Sequence, residues 1–163
     1  MKNYLPVLCV AMLICTGLSP EGEQPEKCIV KSEFIYNSDA VAFPSCHAST
    51  IAEIPGGVIS AWFGGTAERN PDVGIWVSRF INGSWSAPVE VANGIADESK
   101  RYPTWNPVLY NTGKKILLFY KTGPSPSTWW GELKTSTDNG LSWSGAIKLP
   151  ENVYGPIKNK PVS

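Results

Sequence analysis

From residue 43 onward, short apolar runs alternate with clusters of turn residues, a pattern that predicts strands rather than helices. Four runs lie at Ser49–Glu53, Val58–Phe63, Val73–Arg79 and Ala87–Val91, and four more at Pro107–Tyr110, Lys115–Lys121, Trp130–Ser136 and Ala146–Leu149. The second set repeats the first. Val58-Ile59-Ser60-Ala61-Trp62-Phe63 falls on Ile116-Leu117-Leu118-Phe119-Tyr120-Lys121 at an offset of 58 residues, and at the same offset Gly65 falls on Gly123, Ser78 on Ser136, Trp85 on Trp143 and Ser86 on Ser144. Asn159-Lys160-Pro161-Val162 then matches Trp105-Asn106-Pro107-Val108 at an offset of 54. Polar and apolar positions alternate imperfectly within the runs, as strands buried on both faces do. A four-stranded unit in tandem predicts an all-β fold, a β-propeller of four-stranded antiparallel blades, with blades at roughly 47–104 and 105–158 and a third starting at 159. Propellers close with typically 4–8 blades, so the chain reads as the N-terminal fragment of a longer protein, holding about two and a half of them. The rival is a short form that assembles into a ring.

Composition removes several function classes. Lys and Arg number 14 against 14 Asp and Glu, and only 17% of residues are charged, so no basic stripe exists for phosphate neutralisation and nucleic acid is not an expected partner. With 42% hydrophobic residues, including 7 Trp, 6 Tyr and 5 Phe, the chain is not disordered. Met1-Lys2-Asn3 and the apolar run Tyr4–Cys15 have the n-region and h-region of a cleaved secretory signal, about residues 1–19, followed by a lead-in at 20–42. The run is shorter than the roughly 20 residues of a membrane helix, so a secreted or periplasmic protein without stable membrane insertion is expected. Cleavage leaves Cys28 and Cys46, which read either as one disulfide or as two free thiols. A single His and two Cys without a C-x-x-C pair do not make a zinc site, and neither a metal nor a cofactor is expected.

Ser136-Thr137-Asp138-Asn139-Gly140-Leu141-Ser142-Trp143 fits S-x-D-x-G-x-x-W and resembles the Asp box, or BNR repeat, of the sialidase-like propellers. In that motif Ser136, Asp138, Gly140 and Trp143 have structural work: a carboxylate accepting backbone N–H groups across a tight turn, a glycine at positive φ, an indole beneath the turn. Ser78-Arg79-Phe80-Ile81-Asn82-Gly83-Ser84-Trp85 is a worn copy without the Asp, and Asn82-Gly83-Ser84 also spells an N-glycosylation sequon. Ala61-Trp62-Phe63-Gly64-Gly65, Asp72-Val73-Gly74-Ile75-Trp76 and Trp105-Asn106-Pro107-Val108 resemble a bacterial-type subgroup of the same family. The resemblance implies a glycoside hydrolase acting on a terminal anionic sugar of a glycan. One family signature is missing, because the arginine of the F/Y-R-I-P motif has no counterpart in Phe43-Pro44-Ser45-Cys46. That departure bears on the sugar, not on the fold.

In a four-stranded blade, the loops entering the first strand and joining the second to the third open on one face. The repeat register assigns to that face His47, Glu68, Arg69, Asp72, Arg101, Tyr102, Trp105, Asn106, Trp129, Trp130, Lys158, Asn159 and Lys160. His47, Trp105 and Asn159 are equivalent positions expected to converge on the axis. His47 reads as a general acid or base or as a hydrogen-bonded structural residue, and Asp72 as a proton donor or a turn-capping carboxylate. Tyr102 reads as a nucleophile or acid, or as packing. Arg69 and Arg101, with Lys158 and Lys160, are placed to hold a carboxylate, or else the arginines pair with Glu68, Asp72 or Asp97. Glu68, Asn106 and Asn159 complete the polar wall, and Trp105, Trp129 and Trp130 are candidate stacking platforms for a sugar. Further readings stay open: a lyase of uronate polymers using His47, Tyr102 and Arg101 or a rhamnosidase-type enzyme on uronate-containing glycans, and a propeller that binds carbohydrate without turning it over or is inactive because truncated.

Overall fold

The computed structural model describes residues 31–162. The expected signal segment, most of the lead-in and Cys28 lie outside the described residues; Cys46 is a free, exposed thiol that accepts a hydrogen bond from the Tyr36 hydroxyl at 3.1 Å. The chain divides into two units after Glu33, and the unit from Phe34 carries the fold.

Its strands fall into two antiparallel sheets and a small hairpin. The first sheet holds β1 (Ser45–Ile54), β2 (Gly57–Gly65) and β3 (Gly74–Ile81), with the short strands β4 (Ser84–Trp85) and β5 (Val89–Ala92) both on the far edge of β3. A hairpin of β6 (Gly94–Asp97) and β7 (Lys100–Tyr102) follows. The second sheet holds β8 (Thr104–Asn111), β9 (Ile116–Thr122), β10 (Trp130–Ser136) and β11 (Ile147–Lys148) in that order across the blade. The eight expected strands are all present, and the two sheets are blades of an incomplete sialidase-like propeller. The β6–β7 hairpin was not anticipated, because Ile95 is its one large aliphatic residue and no alternation marks it.

Side chains alternate across each strand, and antiparallel partners share a face. Ala61 therefore stands beside Val77, and Phe63 beside Ile75, on the side of the first blade that meets the second. Leu109, Ile116, Leu118 and Tyr120 supply the opposing surface, and Ile59, Ile75, Leu109 and Leu118 are wholly buried in the joint core. Each aliphatic side chain of this kind contributes about 1.5–3 kcal/mol. Polar bonds set the register of the innermost strands: Leu109 N donates to Thr50 Oγ1 at 3.3 Å, and Asn111 Nδ2 to Glu53 O at 2.7 Å. Thr104 donates to Val73 O through both N and Oγ1, at 3.2 and 3.0 Å. The other face of the first blade is covered by aromatics from the segment preceding β1. Tyr36 stacks on Trp62 with centroids 5.3 Å apart, and Phe43 lies 4.5 Å from Trp76.

The two versions of the motif form different turns. In the first blade, Asn82 and Gly83 take φ of 53° and 85° between paired Ile81 and Ser84, a two-residue hairpin that needs left-handed backbone at both positions. In the second, Asp138 does the work. Its Oδ1 accepts from Ser136 Oγ at 2.7 Å and from Ser142 N at 2.9 Å, while Ser142 Oγ donates to Oδ2. Those bonds, first from the Ser142 side chain and then from its backbone, lower the Asp138 pKa from 3.8 to about 2. Gly140 has φ 83°, and a Cβ there would sit 2.3 Å from Ile59 Cδ1 of the neighbouring blade. The turn is thus seated on the core it closes.

Two predictions follow from this seating. Gly140→Ala strains the backbone and forces Ile59 out of place, and is expected to lower unfolding stability by about 2–4 kcal/mol in a denaturant titration; a loss within error would show that the turn is not anchored on Ile59. Because the folded pKa of Asp138 lies below its unfolded value, its contribution is complete above pH 4 and is lost as pH falls toward 2. Asp138→Asn should flatten the loss of stability between about pH 4 and pH 2 relative to the unaltered protein, measured as the denaturation midpoint at each pH.

Candidate functional site

Strand direction sorts the loops. Pairing of His47 with Phe63, Gly64 with Gly74 and Thr122 with both Thr104 and Trp130 brings the starts of β1 and β8 to the same end as the 66–73 and 123–129 loops. The Asp138 turn and the Asn82-Gly83 hairpin lie at the opposite end.

At the loop end each innermost strand carries a bulge. The β1–β2 register shifts between His47 and Thr50, and the β8–β9 register shifts between Trp105 and Val108. The residues within, Ala48 and Asn106, have φ of 55° and 30° and are 58 positions apart. Both blades therefore bend where the first strand enters, and bulges of this kind re-aim side chains beside functional sites. Between the two bends lies a cleft of about 290 Å³ lined by His47, Ala48, Ser49, Asn106, Pro107, Ile157 and Lys158. Glu68 reaches His47 from the β2–β3 loop, its Oε2 3.3 Å from Nδ1, and the imidazole stands edge-on to Phe63 at 5.5 Å. The structure thus brings together His47, Glu68, Asn106 and Lys158.

The remaining candidates take other positions. Asp72 caps the 66–72 loop, accepting from Thr66 N at 2.8 Å and from Thr66 Oγ1 on the same oxygen. The Thr66 hydroxyl bond is the main cause of its lowered pKa, so the carboxylate is held ionised. Arg101 Nη2 donates to Asp72 O at 2.9 Å and to Glu90 Oε1 at 3.1 Å, tying the β6–β7 hairpin to the first blade through the expected Asp72 and through Glu90, a partner not anticipated. Arg69 is exposed at φ 77°, and among the described residues its guanidinium has no hydrogen bond or ion pair. Tyr102 packs edge-on against Trp130 at 5.3 Å, with the Lys100 ammonium 4.9 Å over its ring. Trp129 and Trp130 are half-buried on the wall of a separate cleft of about 590 Å³, shared with Lys148, Leu149 and Tyr154.

Two expectations are corrected. Trp105 is only 2% exposed and its Nε1 donates to Gly123 O at 2.9 Å, so it is a core residue between Phe63 and Trp129 and offers no face for stacking. Asn159 and Lys160 do not join His47. Residues 154–162 form no strand; Asn159 is exposed, and the Lys160 ammonium donates to Ile51 O and lines a cleft with Glu53, Leu109 and Asn111. A residue that the sequence did not single out is Lys121, fully buried near the end of β9. Desolvation lowers its pKa to about 8. Its signal was present, since the repeat places this lysine where the first blade has Phe63.

Among the described residues no helix is long and apolar enough to cross a membrane. The chain is similar to a Hadza microbial sialidase, Hz136, with a TM-score of 0.57 and 14% identity over 68% of this chain and 27% of the sialidase. It is also similar to an α-L-arabinofuranosidase from Lactobacillus brevis, with a TM-score of 0.50 and 18% identity over 64% of this chain and 34% of that enzyme. At these identities the likeness is one of fold, and the chain spans about a third or less of the length of either enzyme. No curated protein sequence matches it. The sequence model of the BNR repeat-like domain matches residues 56–163. A match of that extent, on a chain folded into tandem antiparallel blades, makes the chain a member of the BNR repeat-like domain family.

Proposed function

We propose that these blades belong to a secreted glycoside hydrolase that releases a terminal anionic sugar from a glycan. The observation that carries the reading is the His47–Glu68 pair at the mouth of the inter-blade cleft, beside Asn106 and Lys158. An imidazole beside a carboxylate, with N and O 3.3 Å apart, is a pair able to pass a proton to or from a bound glycoside. Asp72 is the weaker candidate for proton donor, because its bonds from Thr66 favour the ionised form. Arg101 spends donors on Glu90 and Asp72 O, so Arg69 and Lys158 are the cations left to hold a sugar carboxylate from this face. The sialidase and the arabinofuranosidase of similar fold support a glycosidic bond as the target.

The test uses the protein expressed from its whole reading frame, assayed on sialyl, uronyl and neutral glycoconjugates. His47→Ala and Glu68→Gln are each expected to lower kcat about 100-fold with KM changed little, and Arg69→Ala to raise KM for acidic substrates only. Unchanged kcat in both variants removes the pair from catalysis. A product with the ultraviolet absorbance of a new double bond would replace hydrolysis with elimination, and binding without turnover would leave a carbohydrate-binding propeller.

A further inference from the structure

Among the described residues, Lys121 is the one buried cation beside the loop end that the proposed hydrolysis does not use. Its side chain is 0% exposed, and its ammonium donates to Pro156 O. An ammonium carries three N–H donors, and among the described residues no carboxylate comes within ion-pair distance of this one. Buried charges in folded proteins are ordinarily paired, because leaving one unpaired costs several kcal/mol. The repeat explains where the missing anion would enter. Phe63, 58 positions earlier, touches His47 of its own blade and Trp105 of the next, at 5.5 and 6.2 Å. The side chain at this position thus stands between the starts of two successive innermost strands. Lys121, opposite Trp105 in the ladder, occupies the same place one blade on. The carbonyl it bonds belongs to a segment without secondary structure, which continues through Ile157 and Lys158 into the wall of the His47 cleft.

We infer that Lys121 is a carboxylate-binding residue, placed to receive the acid group of an acidic sugar entering past Pro156 beside Trp105. The inference rests on the proposed reading of the site and names its anion-holding group in the second blade. Binding of galacturonate and of its methyl ester to the protein from the whole reading frame, followed by calorimetry, is the direct test, with Lys121→Met and Lys121→Arg as variants. The Met variant removes the charge at similar length; it should fold with an undiminished thermal midpoint and lose the preference for acid over ester at least tenfold. The Arg variant should keep that preference. A Met variant that retains the acid preference overturns the inference, and so does one that melts lower while losing acid and ester equally, since Lys121 would then be a strut or the partner of a protein carboxylate. Wild-type protein that does not prefer acid over ester overturns it as well. If acidic conjugates are never hydrolysed but Lys121-dependent binding of galacturonate persists, the hydrolase reading falls and the inference stands.

Discussion

The contact between the two sheets is the constraint on which the rest depends. A four-stranded blade has two apolar faces and cannot bury either by itself, so Ile59, Ala61 and Phe63 are useful only when Leu109, Leu118 and Tyr120 lie against them. The 58-residue period expresses this need in sequence: each unit must present the same shape to the one before it. The bond from Asn111 to Glu53 O joins residues one period apart, and Gly140 lies against Ile59 with no room for a methyl group. The Asp138 turn therefore acts as a seat between blades, remote from the loop end, and its hydrogen-bonded carboxylate gives the turn its shape.

That packing also determines where chemistry is available. Once the sheet faces are committed to apolar contact, charged groups are left at strand ends and loops. The equivalent bulges at Ala48 and Asn106 turn the first residues of each innermost strand out of the ladder, and the cleft between them is the consequence. His47 meets Glu68 because β1 begins where β2 ends, with the 66–73 loop directly behind. The pair is thus a product of antiparallel pairing rather than of a local motif, and residues 21 positions apart come to 3.3 Å.

This difference accounts for what was legible beforehand. The strands and blades could be read because Ser78 and Ser136, Trp85 and Trp143, and the apolar runs preceding them repeat at one interval. The turn chemistry of Ser136–Trp143 was legible because every partner of Asp138 lies within four residues of it. The placement of His47 and Asn106 at one end was legible for the same topological reason, and one cleft is lined by both. The fate of Trp105 was not, since an indole at a strand start reads alike whether it lines a channel or fills a core; its bond to Gly123 O and its neighbours Phe63 and Trp129 decide the matter. Arg101 was read either as a holder of a sugar carboxylate or as the partner of a loop acid such as Asp72; it bonds Asp72 O and also Glu90 on the edge strand, a second partner that depends on the unanticipated β6–β7 hairpin.

Electrostatics separates the cations that hold the fold from those that remain for a ligand. Lys134 and Lys160 donate to Val91 O and Ile51 O, and Arg101 to Asp72 O, so each ends on a backbone carbonyl. Such groups are already engaged, and an anion that sought them would have to displace an internal bond. Among the described residues Arg69 and Lys158 make no such bond; Arg69 is exposed on the β2–β3 loop, and Lys158, on the segment after β11, lines the His47 cleft. Lys121 lies between the two classes, with one carbonyl for three donors and a desolvated charge.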